Sequence, residues 1–117
     1  MNAKFFVPYQ TARQLKEKGY PKYKSDYGYF YNGDIHPIII FQAEKFDCAA
    51  PTYHEVVDWL YERKICITCH PAYSYEDQYN GFQYEMQTYE EDDYPDDIYR
   101  TREEALNAAI LKAIEML

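Results

Sequence analysis

The sequence predicts an α+β fold: an antiparallel sheet of two hairpins, about four strands, with three helices packed on it. Three observations predict it. Two pairs of strand-like runs, each interrupted by an Asn-Gly, occupy residues 27–41 and 65–89. Thr-x-x-Glu capping boxes at Thr52–Glu55 and Thr101–Glu104 open two helical patterns. A glycine followed closely by a proline, Gly19 and Pro21, ends a third.

The elements follow in order. Residues 10–18 are rich in helix formers, and Gly19 stands where a left-handed C′ residue belongs. Its start is open between a Thr11–Gln14 capping box and Pro8. Residues 27–31 form an aromatic strand with Tyr27, Tyr29 and Tyr31 on one face. Asn32-Gly33 signals a type I′ turn, and residues 35–41 return. Pro37 cannot donate to a ladder, so it belongs near the strand start or on an edge. Residues 38–41 lack alternation and read as buried on both faces. In the second helix, Tyr53, Val56, Val57, Trp59 and Leu60 make the apolar face through about Arg63. Residues 65–72 alternate as a strand, residues 79–82 turn, and residues 82–89 form its hairpin partner. Residues 90–99 read as an acidic loop broken by Pro95. In the last helix Ala105, Leu106, Ala109, Ile110, Ala113, Ile114 and Leu117 share one Ala-rich face.

With 117 residues, 47% hydrophobic and 19% aromatic, the chain reads as one domain, 1–117, with its own core. It has no apolar run long enough to span a membrane and no secretory leader pattern, and three cysteines suit a reducing cytoplasm. The charge is uneven. Residues 65–99 contain nine carboxylates and no Lys or Arg, while the chain as a whole carries −8. Such a segment repels a phosphate backbone, so no direct nucleic-acid contact is expected. It suits a protein partner with a basic surface.

No catalytic, cofactor or metal motif survives inspection. Cys66-Ile-Thr-Cys69-His70 matches covalent haem attachment. On an alternating strand, however, Cys66, Thr68 and His70 face one way and Ile65, Ile67 and Cys69 the other, so the two thiols cannot converge. Residues 92–103 can be laid on a calcium-binding loop with Asp92, Asp96 and Glu103 at ligand positions. Tyr94 and Asp97 then violate the pattern, and Thr101 is committed to a helix cap. His54 and Asp58 lie one helical turn apart, which reads as an exposed helix pair.

Residues 6–20 (FVPYQTARQLKEKGY), 50–60 (APTYHEVVDWL) and 99–106 (YRTREEAL) together resemble a family of small α+β proteins from Bacteroides-type bacteria and their phages and mobile elements. The resemblance spans nearly the whole chain. Its motifs are caps, turns and core positions. It implies the order of elements above and an accessory role in a phage or integrated element. The family has no assigned activity, so no catalytic residue carries over.

The expectation is therefore a non-enzymatic, cytoplasmic protein-interaction module with no cofactor. Its contact surface is Tyr75, Tyr79, Tyr84, Tyr89, Asp92, Asp93, Asp96 and Asp97, tyrosine being enriched at interfaces. One alternative is an acidic DNA mimic that occupies a nucleic-acid-binding protein. Another is a small metal-dependent or acid–base enzyme using His54, Asp58 or His70 with residues of the acidic loop.

Overall fold

The computed structural model describes residues 3–22, 24–38, 44–73 and 79–117. The fold is α+β: the described residues form three α-helices and two three-stranded antiparallel sheets. The expected single sheet of about four strands is thus corrected to two sheets and six strands. The chain gathers into two compact units, Met1–Val56 with Leu117, and Val57–Met116.

In the first unit, α1 (Tyr9–Glu17) starts directly after Pro8, which stands at the N-cap without a side-chain bond. The Ala12 amide donates to the Pro8 carbonyl at 2.9 Å, so Pro8 and not Thr11 begins the helix. Thr11 lies buried inside it. Gly19, at φ 101°, ends the helix as expected.

The first sheet has the order β2-β1-β3, from β1 (Tyr27–Phe30), β2 (Ile35–Pro37) and β3 (Phe46–Ala49). Pro37 sits on the edge strand β2, where its missing N–H is harmless. The β1–β2 turn is not type I′. That turn needs two residues at positive φ, and Gly33 alone has it, at 90°. The Gly33 amide donates to the Phe30 carbonyl at 2.9 Å and the Phe30 amide to Asp34, also at 2.9 Å. The connection is therefore a three-residue loop with glycine in the left-handed position. Tyr29 is buried, Tyr27 half-buried and Tyr31 exposed, because the turn takes Tyr31 out of the strand. Ile38 is half-buried, and residues 39–41 of the expected double-buried run lie outside the described residues.

Strand β3 was not expected. All four of its residues, Phe46, Asp47, Cys48 and Ala49, are buried, so alternation is absent, and aspartate is a poor strand residue. Asp47 is tolerated because α1 supplies its partners. Tyr9 Oη donates to it at 2.6 Å, Lys16 Nζ at 2.9 Å, and Arg13 Nε stands 3.4 Å away.

Helix α2 (Tyr53–Glu62) opens on the expected capping box. The Thr52 amide donates to Glu55 Oε1 at 2.9 Å, and the Glu55 amide to Thr52 Oγ1 at 3.2 Å. Tyr53, Val56, Trp59 and Leu60 are buried.

The second unit holds β4 (Ile65–Tyr73), β5 (Tyr79–Thr88) and β6 (Asp92–Asp93) in the order β4-β5-β6, with α3 (Arg102–Glu115) packed on β4 and β5. Ile65, Ile67, Tyr84 and Met86 are buried on the sheet face toward α3, as are Ala105, Ala109, Ile110, Ala113 and Ile114 on the helix. Leu106 is only half-buried, and Leu117, placed on that face by its spacing, is exposed. Strand β5 begins three residues earlier than expected, and β6 interrupts the expected acidic loop. The α3 cap is one-armed at Thr101: the Glu104 amide donates to Thr101 Oγ1 at 3.1 Å, but the Glu104 carboxylate accepts from the Arg100 amide instead.

Candidate interaction surface

The β4–β5 register builds the site. Cys66 pairs with Gln87, Thr68 with Glu85 and His70 with Gln83. Period-two alternation puts these six side chains on the face opposite α3, where each is exposed or half-buried. Cys69 belongs to the other face. Burial raises its thiol pKa, Arg102 of α3 opposes that shift and Glu103 adds to it. The two cysteines of the Cys-Ile-Thr-Cys-His run therefore point apart, as their strand spacing requires. All three thiols are free.

Pro71 fits this strand for a specific reason. Phe82 exchanges both backbone hydrogen bonds with Tyr99, at 2.8 Å each, so its N–H and C=O point away from β4. Its β4 partner is Pro71, a pair that needs no ladder bond from the missing N–H.

The acidic segment runs beside this face and is tied to it. The Gln83 amide nitrogen donates to the Asp96 carbonyl at 3.3 Å, and Gln87 to Tyr94 Oη at 3.4 Å. Tyr94 Oη in turn donates to Asp92 Oδ2 at 3.2 Å. Asp92, Asp96 and Asp97 are exposed and Asp93 half-buried, with Asp93 paired to Met86 in the ladder. Residues 88–91 form a tight turn. The Thr88 amide and hydroxyl both donate to the Glu91 carbonyl at 2.8 Å, and the Glu91 amide donates to Thr88 Oγ1 at 3.1 Å. Tyr89 projects from that turn at 95% exposure.

The expected contact residues are thus partly assembled. Tyr89, Asp92, Asp93, Asp96 and Asp97 lie along one stretch with solvent access. Tyr84 does not join them as a surface residue: it is 6% exposed on the α3 face. Its hydroxyl pKa is raised by burial first, then by Tyr99, Asp93 and Asp97. Tyr79 opens β5, and Tyr75 lies outside the described residues. Tyr94, 53% exposed, and Tyr61, 66% exposed at the end of α2, are surface tyrosines that sequence reasoning passed over. The signal for Tyr61 was its place opposite the buried face of α2.

Two clefts open on this unit. One, of about 150 Å³, is lined by His70, Gln83, Tyr84, Glu85, Tyr94, Pro95 and Asp96. In it His70 Nδ1 stands 3.9 Å from Glu85 Oε1. The other, of about 230 Å³, is lined by Tyr61, Lys64, Cys66 and Tyr89. His54 and Asp58 are both exposed on α2. His36 stacks on Phe30, with ring centroids 4.0 Å apart. Among the described residues, no group of three or more His, Cys, Asp or Glu side chains is placed to hold a metal ion. Asp92 and Asp93 are in strand β6 and Thr101 caps α3, so residues 92–103 do not form a calcium-binding loop. No described helix is long and apolar enough to cross a membrane.

No family model, curated protein or solved structure matches the chain.

Proposed function

We propose that this chain is a non-enzymatic interaction module that meets a basic surface of a protein partner through its Val57–Met116 unit. The observation that carries this reading is the division of charge. That unit holds fourteen carboxylates and five basic residues, a formal −9, whereas the remainder of the chain holds six and seven, a formal +1. Asp92, Asp96 and Asp97 are exposed in the same segment as the exposed residues Tyr89 and Tyr94. An acidic field steers a basic partner, and aromatic side chains supply the contact area. The motif resemblance supports an accessory role in a phage or mobile element.

The test is affinity capture with the tagged full chain from a host lysate at low and moderate salt, repeated with the Asp92, Asp93, Asp96 and Asp97→Asn variant. A stoichiometric partner held by the wild type at low salt, and lost by the variant, is the expected result. A partner that binds both proteins equally at both salts would remove the acidic surface from the reading.

One observation favours a second reading. The smaller cleft joins His70 to Glu85 and to Asp96 of the acidic segment, a set that acid–base chemistry would use. Screening for hydrolysis of ester and phosphoester reporters, with His70→Gln as the control, separates the two. Turnover that disappears in the variant favours the enzyme.

A further inference from the structure

The larger cleft extends the proposed reading and rests on it. Its walls are two tyrosines that the fold leaves in water, Tyr61 at 66% and Tyr89 at 95% exposure, with Lys64 and Cys66 completing the lining. The backbone beneath both walls is fixed. Tyr89 rides on the turn closed three times between Thr88 and Glu91. Tyr61 lies in the last turn of α2, where its carbonyl accepts from the Lys64 amide at 3.0 Å. Lys64 has φ 70°, the left-handed conformation that closes a helix. Beside it, the Arg63 guanidinium lies 3.7 Å from the Trp59 ring centroid and donates to the Trp59 carbonyl at 3.4 Å. Tyrosine side chains have only two rotatable bonds, so they supply contact area at low conformational-entropy cost and suit an anchor site.

Charge selects the occupant. Glu62, Glu90 and Glu91 flank the two tyrosines and are exposed, Arg63 and Lys64 are exposed beside Glu62, and the unit as a whole carries a formal −9. The field of the whole unit favours an incoming chain that is basic around its anchor. Lys64, the one charged residue of the lining, disfavours a cation between the rings, and the unit's net negative charge disfavours an anion, so the side chain that enters is uncharged. We propose that the Tyr61–Tyr89 cleft is the anchor site for a basic peptide segment of a protein partner, which inserts one aliphatic or aromatic side chain between the two rings.

The probe is a display library of random dodecapeptides selected on the full chain. Enriched peptides are then titrated against the wild type, Tyr61→Ala, Tyr89→Ala and the four-fold Asp→Asn variant. Enriched peptides are expected to carry Lys or Arg around an apolar residue and to lose about tenfold or more in affinity with either tyrosine variant. Their addition should also shift the Lys64 and Cys66 amide resonances of the wild type, a readout independent of any variant's folding. Basic peptides that ignore both tyrosine variants, leave those amides unmoved and weaken only with the Asn variant would overturn the cleft and leave the acidic surface standing. Acidic peptides, or no enrichment, would overturn both.

Discussion

Asp47 shows how one residue can be buried against its own chemistry. Burial alone would raise its pKa. The hydrogen bonds from Tyr9 and Lys16, with the charges of Lys16 and Arg13, outweigh that and hold the carboxyl below its usual range. A depressed folded pKa means stability that is present above the unfolded carboxylate range, near pH 4, and lost as pH falls through the folded value. Asp47→Asn should therefore lower stability at pH 7 by about 1–3 kcal/mol. The gap to wild type should narrow at pH 3, measured by urea unfolding at both pH values. Lys16 and Arg13 are more than half exposed and rehydrate when the charge is removed, which favours the low end of that range. The neighbouring Cys48 is 1% exposed, and its thiol pKa is pushed up to about 11, by burial first and then by Asp47. A thiol reagent at pH 8 should label Cys66 readily and Cys48 only at the rate of unfolding. Gly81 is constrained in a different way. It has φ 138°, and a Cβ there would collide with the Tyr99 carbonyl. Gly81→Ala should cost more than about 1 kcal/mol. It should also speed amide exchange at Phe82 and Tyr99, whose paired bonds it disturbs.

At the scale of elements, the starts of α2 and α3 were legible because a capping box is a local device. Thr52 and Glu55 satisfy each other's amides within four residues, whatever surrounds them. Thr52→Ala should cost about 1 kcal/mol, and Thr101→Ala less, since only one arm of the second box returns to its cap. Thermal melts of the two variants compare them directly. Strand β3 was not legible. It is short, lacks alternation and contains an aspartate whose partners lie on α1, 31 to 38 residues earlier. The Asn32-Gly33 turn was located correctly but typed wrongly, because only Gly33 takes a positive φ. The opposed cysteines of β4 were foreseen, since period-two alternation is a property of any strand. The company of Tyr84 was not. Its parity in β5 places it on the α3 face, a fact that depends on which face the helix covers.

At the scale of the whole molecule, charge is the organising variable. Replacing Asp92, Asp93, Asp96 and Asp97 with Asn takes the Val57–Met116 unit from −9 to −5. Association with a basic partner should slow several-fold at low salt, and the difference should vanish near 1 M, where screening acts within about 3 Å. Stopped-flow association across a salt series checks this. By itself the sequence determined the α+β class, the two capped helix starts, the glycine helix stop, the antiparallel pairing of β4 with β5 and the acidic segment. Each of these is written in residues a few positions apart, so local propensity, alternation and composition suffice. Only the tertiary structure decided that there are two sheets, that β3 and β6 exist, that Tyr84 is buried while Tyr61 and Tyr89 flank a cleft, and that Asp47 is paired. Those outcomes depend on contacts between residues far apart in the chain, and no local pattern encodes which distant partner arrives.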